Sequence, residues 1–156
     1  MSPIRAVGYG IMYKHILYAT DFSKASLVTE KKVASMCQQH NAALSVIHVV
    51  NYGSAVWMGS GGYYVMSELN EETIEEGKQA MTAFEERMPV ALAGSKTVKG
   101  SPKQEIVAYA DEIGADLIVL GSHGHFQIAD VLGTTATGVL QKAGCDVLVV
   151  QSGGEE

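Results

Sequence analysis

The chain of 156 residues has the length of a single domain and can bury both faces of a sheet. Its net charge of -6 argues against non-specific binding to nucleic acid or to an anionic membrane, because both need a basic surface. No run approaches the ~20 apolar residues of a membrane span, and Met1 to Ile11 lacks the apolar centre of a signal peptide. Cys37 and Cys145 show no metal-ligand spacing, and we expect two buried thiols in a soluble, cytoplasmic protein.

The first third of the chain predicts a strand, a helix and a second strand. His15 to Thr20 and Ala43 to Val50 are largely apolar and have the length of buried strands. Between them, Ser26 to His40 places apolar residues at near-helical spacing, and Asn41 closes the segment. Asp21 to Ser23 is predicted to be the turn that leads into this helix. A β-α-β unit of this size indicates that the sheet begins with parallel strands.

The middle of the chain changes character. Asn51 to Met66 contains four glycines and four aromatic residues, and we predict a long loop that either covers a ligand or partner or packs over the sheet end. Ser67 to Met88 predicts a helix with negative charge in its first turns, which the helix dipole favours. Pro89 ends that helix, and Ser95 to Lys99 alternates as a third strand does.

The last third repeats the pattern of helix and strand. A capping-box pattern at residues 101–104, with proline at the first helical position, predicts a helix that runs to about Ile113. Leu117 to Leu120 is the fourth predicted strand, Thr135 to Lys142 a helix, and Asp146 to Val150 the fifth strand.

Five apolar strands that alternate with four helices predict an α/β fold, an open, doubly wound, Rossmann-like parallel sheet. In the strand order 3-2-1-4-5, the first and fourth strands are neighbours, and the chain leaves them toward opposite faces. Such sheets bind ligands in the crevice at this point, beyond the carboxyl ends of the strands. Asp21 then lies at one lip of the crevice and Gly121 at the other.

The strongest chemical signal is the sequence GSHG at residues 121–124, followed by GTT at residues 133–135. Glycine lacks a Cβ, so backbone N–H groups of such a turn can approach a phosphate, and a helix start favours the same anion. A purely structural glycine turn explains the four residues equally well. The pattern is neither a Walker A sequence nor a Gly-x-Gly-x-x-Gly fingerprint, which removes the main support for those two classes.

Asp21 and the histidines are further candidates for a site. The Asp21 carboxylate could accept hydrogen bonds from ribose hydroxyls or an adenine amino group, could cap the first helix, or could do both. Four histidines lie in or near the predicted strands and turns: His15, His48, His123 and His125. None forms the i, i+4 pair of a zinc helix, and we interpret the last two as phosphate neighbours or exposed turn residues. Ser122 lies in no Gly-x-Ser-x-Gly elbow, which argues against a hydrolase triad.

Four segments taken together resemble the universal stress protein (UspA-like) family: YKHILYATDFS (13–23), HV (48–49), GSP (100–102) and LIVLGSHG (117–124). The resemblance runs from about Met12 to Gln151. It implies the 3-2-1-4-5 sheet, a cytoplasmic role in stress response, unidentified protein partners, and a homodimer formed through the fifth strand near Val147 and Val149. It also implies an N-terminal extension at residues 1–11, a single domain at 12–152 and a tail at 153–156.

Family members that bind ATP carry Gly-x2-Gly-x9-Gly-Ser/Thr after the fourth strand. Carried over to this chain, the resemblance places phosphate contacts at Gly121, Gly124, Gly133, and Thr134 or Thr135. It places the ribose and adenine against Asp21 and the backbone of Ala19 and Thr20, with Val49 beside the base. The implied ligand is ATP or AMP, with Mg²⁺ as a candidate companion ion. This chain departs from the pattern in one respect, because eight residues rather than nine separate Gly124 from Gly133.

Three functions are compatible with these features. The leading hypothesis is a homodimeric adenine-nucleotide-binding stress protein, at most a slow ATPase. The eight-residue interval favours an alternative, a UspA-like dimer that binds no nucleotide and acts as a protein-interaction module. A nucleotide-hydrolysing enzyme of a related α/β class is the third, and it lacks a visible metal or nucleophile constellation.

Overall fold

The computed structural model describes residues 12–51, 55–57, 63–65, 71–122 and 132–151 of the chain. The strands are β1 (His15–Ala19), β2 (Ala43–Asn51), β3 (Ala55–Trp57), β4 (Tyr63–Val65), β5 (Leu92–Gly100), β6 (Leu117–Gly121) and β7 (Asp146–Val150). The helices are α1 (Ser26–His40), α2 (Glu71–Arg87), α3 (Pro102–Ile113) and α4 (Thr134–Lys142).

The main sheet is parallel throughout and has the order β5-β2-β1-β6-β7. Counted along the chain without the short β3 and β4, this is the predicted order 3-2-1-4-5. The prediction of an open five-stranded parallel sheet is therefore confirmed. β5 and β7 form its two edges.

Helices cover both faces of this sheet, as a doubly wound fold requires. On β1, Ile16 and Tyr18 face one side, while Leu17 and Ala19 face the other. The first side packs against residues of α1 and α2: Val33, Cys37, Met81 and Phe84. The second side packs against residues of α3 and α4: Ile106, Tyr109, Ala110, Ala136 and Val139. Burial on two faces explains why the central strands are continuous apolar runs rather than alternating ones.

The segment predicted to be one long loop contains a second sheet. Ala55–Trp57 pairs with Tyr63–Val65 as an antiparallel hairpin. Strands of three residues are too short to show a period of two, and the glycines between and around them are typical of loops. β5 is also longer than predicted, because Leu92 pairs with Leu44 of β2 before the alternating stretch begins.

The capping box predicted at the start of α3 does not form. Ser101 is the N-cap, but its side chain makes no capping hydrogen bond. Its carbonyl accepts the amides of Gln104 and Glu105 instead, at 3.1 and 2.9 Å. Pro102 does occupy the first turn, where its missing N–H costs nothing.

The two cysteines are free thiols in different surroundings. Cys37 of α1 is buried, as expected, and burial raises the pKa of its thiol to about 11. Cys145, just before β7, is only partly buried, and burial again raises its pKa. No helix among the described residues is long and apolar enough to cross a membrane.

Candidate functional site

The carboxyl ends of β1 and β6 lie side by side in the middle of the sheet. Tyr18 pairs with Val119, so that Thr20 and Gly121 follow two residues later on adjacent strands. The chain then leaves β1 toward α1 on one face and β6 toward α4 on the other. The predicted crevice of an open α/β sheet therefore lies between Thr20–Asp21 and Gly121–Ser122.

The turn after β1 is held by its own side chains. The Thr20 amide continues the strand pairing by donating a hydrogen bond to the Ile47 carbonyl at 3.0 Å. The Thr20 hydroxyl accepts a hydrogen bond from the Phe22 amide at 3.0 Å. One residue on, Asp21 Oδ1 accepts the Ser23 amide at 2.9 Å. These bonds orient the Asp21 carboxylate at the end of the strand. Asp21 is not the cap of α1, because that helix begins after Ala25 and has no side-chain cap.

Val49 lies on β2 beside this turn. Ala19 pairs with Ile47, so Val49 lies two residues beyond the end of β1, where its side chain packs toward the α3 and α4 side. Ala19 and Thr20 are both 8% exposed. The structure thus brings together the four residues that the family resemblance assigns to the base and the ribose.

The other lip is formed by the end of β6 and the start of α4. Gly121 pairs with Val150, and the Ser122 amide donates to the Val150 carbonyl at 2.8 Å. The chain returns at Gly133, whose amide donates to the Ser122 carbonyl at 2.8 Å. Gly133 is the N-cap of α4, which places Thr134 and Thr135 in the first helical turn. First-turn amides have no intrahelical carbonyl, so the start of α4 offers N–H groups to an anion.

The remaining predicted phosphate contact, Gly124, lies outside the described residues, together with His123, His125 and most of the shortened interval. Among the residues that the structure does describe, no group of three or more His, Cys, Asp or Glu side chains could hold a metal ion.

A buried tyrosine hydroxyl lies near the end of β1, just before the Asp21 turn. Tyr18 is fully buried, and its hydroxyl donates to the Ser26 carbonyl at 3.3 Å. Desolvation is the main reason that the pKa of this phenol is raised to about 12. The Asp21 turn therefore lies above a neutral hydroxyl at physiological pH.

Sequence reasoning missed two residues that support this site. His48 was weighed as a metal ligand and was part of the family motif, with no role in the site assigned to it, yet its Nδ1 lies 2.9 Å from the Thr20 carbonyl. Phe22, which follows Asp21 in the turn, has a left-handed backbone with φ of 56°. Its ring packs against the His48 imidazole at 4.8 Å. The position of His48 on the strand next to β1 was readable from the sequence, but the backbone angle of Phe22 was not.

Comparison with known proteins places this arrangement in a family. The sequence profile of the universal stress protein family matches residues 12–151. Universal stress protein A homolog 1 of Coxiella burnetii is 34% identical over 139 residues, covering 88% of this chain and 96% of that protein. The chain belongs to the universal stress protein family.

Solved structures of the family have the same fold. Universal stress protein UspA from Lactobacillus plantarum superposes with a TM-score of 0.71 at 27% identity, covering 91% of this chain and all of that one. The universal stress protein from Archaeoglobus fulgidus, in complex with dAMP, gives a TM-score of 0.63 at 21% identity and covers 90% of this chain and 100% of that one. At that identity the second likeness is one of fold.

Proposed function

We propose that this protein binds an adenine nucleotide, ATP or AMP, in the crevice between β1 and β6 and acts as a regulator in stress response. The observation that carries the proposal is the pairing of an oriented carboxylate at Asp21 with the glycine-capped start of α4 across two adjacent strands. A carboxylate suits the two hydroxyls of a ribose, and a helix start suits phosphate. The crevice therefore offers the right group at each end of a nucleotide.

The proposed contacts divide between the two lips. The backbone of Ala19 and Thr20 and the side chain of Val49 would surround the adenine, and Asp21 would accept from the ribose. The phosphates would lie against Gly121, Gly124, Gly133, Thr134 and Thr135, with Mg²⁺ beside a triphosphate. The bond from Ser23 uses part of the capacity of one Asp21 oxygen, and a carboxylate can accept several hydrogen bonds. The dAMP bound by the Archaeoglobus fulgidus protein is a ligand of the same chemical class on the same fold.

Isothermal titration with ATP and with AMP, each with and without MgCl₂, tests the proposal. We expect saturable binding to the wild type and a loss of about tenfold or more in affinity for Asp21→Ala. The matched control is Asp111→Ala, which removes the same charge from an exposed position on α3. Gly124→Val should also abolish binding, because a β-branched side chain would fill the space needed by the phosphate. Absence of heat at millimolar nucleotide would refute the proposal.

A second candidate, a protein-interaction module without nucleotide, is favoured by two observations. The interval between Gly124 and Gly133 is one residue shorter than in the ATP-binding pattern, and the Gly133 amide already donates to Ser122. If this candidate is correct, titration of the wild type with nucleotide releases no heat of binding, and Gly124→Val gives the same titration result as the wild type. The same titration therefore separates the two functions.

We also propose a cytoplasmic homodimer formed through β7. This strand is an edge of the sheet, and it carries Val147, Leu148 and Val149. Leu148 is 37% exposed, and Leu140 of α4 is 47% exposed. An edge with unpaired backbone groups and exposed apolar side chains favours pairing with a second copy. Light scattering should give twice the chain mass for the wild type and a monomer for Leu148→Lys; a monomeric wild type would contradict this assembly.

A further inference from the structure

His48 makes a contact with the Asp21 turn that no backbone ladder supplies. It lies on β2, the strand next to β1, and its Nδ1 is 2.9 Å from the Thr20 carbonyl oxygen. A carbonyl oxygen can only accept, so Nδ1 carries the hydrogen in this contact. The imidazole thus fixes the peptide that joins Thr20 to Asp21 from outside the turn.

The same imidazole supports an unfavourable backbone conformation one residue further on. Phe22 has φ of 56°, a left-handed conformation that is unfavourable for a residue with a Cβ. Its ring contacts the His48 ring at 4.8 Å and the Phe84 ring at 6.0 Å. Strained residues of this kind persist where surrounding contacts determine them. His48 is therefore in contact with the turn on both sides of Asp21.

Helix α2 leaves the imidazole little room to move away. Gly77 of α2 faces it, and a Cβ at that position would lie 3.0 Å from His48 Cδ2 and 3.2 Å from Thr97 Cγ2. A side chain at this position would be too close to both neighbours, so α2 approaches β2 as near as only glycine allows. The ring is confined between Phe22 and α2 with its Nδ1 directed at Thr20.

We propose that His48 is a positioning residue of the nucleotide site, which holds the Thr20–Ser23 turn in the conformation that presents Asp21. The inference rests on the proposed function for the identity of the ligand. Contacts within the chain hold this turn, so binding need not supply the free energy to order it. Without the Nδ1 donor, the carbonyl of the buried Thr20 loses this hydrogen-bond partner, and part of the ligand's binding free energy is then used to order the turn.

Two variants of matched shape test the donor. Asn and Leu have the same branching, but only Asn places an N–H donor near the position of Nδ1. We expect His48→Asn to bind ATP or AMP within threefold of the wild type, and His48→Leu to bind about tenfold more weakly. The same pair at His15, whose Nε2 lies 2.7 Å from Ser45 Oγ at the amino end of β1, is the control and should leave affinity unchanged.

Amide signals in a ¹H–¹⁵N spectrum report the turn without any ligand. The Phe22 and Ser23 amides donate to the side chains of Thr20 and Asp21, so the protection of their signals from hydrogen exchange should fall in His48→Leu and stay near wild type in His48→Asn. Equal loss of affinity in both variants, or unchanged exchange protection in His48→Leu, would overturn the inference, because either result assigns His48 to packing alone. If the wild type binds no nucleotide, the proposed function fails, and the amide signals still decide whether His48 holds the turn.

Discussion

The turns at the two ends of α1 both contain a residue other than glycine with a left-handed backbone, but they are stabilised in different ways. After the helix, Asn41 has φ of 52°, and the Ala42 amide donates to the Cys37 carbonyl at 3.0 Å. All partners of this cap are neighbours in sequence, and asparagine tolerates the conformation. Before the helix, Phe22 is in contact with residues from β2 and α2. A left-handed residue with local partners ends a helix, whereas one with distant partners marks a conformation that the fold imposes.

The largest effect on stability is expected from the ion pair that joins α1 to α2, the helix whose Phe84 packs against Phe22 in the turn before α1. Arg87 Nη2 lies 2.7 Å from Glu30 Oε1, and the Arg87 guanidinium covers the Phe84 ring at 5.2 Å. Arg87→Gln leaves the buried Glu30 carboxylate without its cation, and we expect a loss of about 3 kcal/mol in the free energy of unfolding, measured in urea. The double variant with Glu30→Gln should recover part of it. A loss below about 1 kcal/mol for Arg87→Gln would show that the turn at Phe22 does not depend on the Arg87–Glu30 ion pair.

The next effect is the pH dependence of stability, which tests how deeply Cys37 is buried near the Asn41 end of α1. The pKa of Cys37 is raised to about 11 in the folded protein, so the protonated thiol is favoured there. Its contribution to stability is complete below the ordinary pKa near 9 and is lost as the pH rises toward 11. We expect about 2 kcal/mol of this loss to disappear in Cys37→Ala, measured as the difference in unfolding free energy between pH 8.5 and pH 11. Equal pH slopes in the two proteins would indicate that water reaches this thiol.

A smaller loss is expected at Phe22 itself. Phe22→Gly relieves about 1 kcal/mol of backbone strain but removes the ring contacts with His48 and Phe84, so we expect a net loss of about 1.5 kcal/mol. Thermal or urea unfolding measures it. A stabilised Phe22→Gly would mean that the backbone strain outweighs the distant contacts, which would erase the difference between the two turns.

The smallest effects are expected at Asn41. Asn41→Gly should lie within about 0.5 kcal/mol of the wild type, because glycine adopts the left-handed conformation freely. Asn41→Ala should lose about 1 kcal/mol, because alanine adopts it only with strain. The two variants are measured against each other by urea unfolding. If both lose more than about 2 kcal/mol, Asn41 depends on contacts beyond its own cap.

The candidate site was predictable to different extents on its two lips. The apolar run of β1 followed by Asp21, and the run of β6 followed by Gly121, indicated both positions, and the family resemblance implied the strand order that makes them neighbours. The supporting role of His48 was not predictable, because it depends on the register between β2 and β1 and on the approach of α2 at Gly77. The hairpin of β3 and β4 was missed for a related reason, since three-residue strands carry too little pattern.

The sequence by itself determined the parallel sheet, the four helices and the carboxyl edge at which Asp21 and Gly121 lie, because buried strands and amphipathic helices follow from the order of apolar residues along the chain. It also determined the end of α1 at Asn41, where the partners are local. Only the tertiary structure decided the conformation of Phe22 and the direction of the His48 Nδ1, because both result from contacts between elements far apart in sequence. Backbone strain at Phe22 is balanced by packing against β2 and α2, and no local pattern of residues records such a balance.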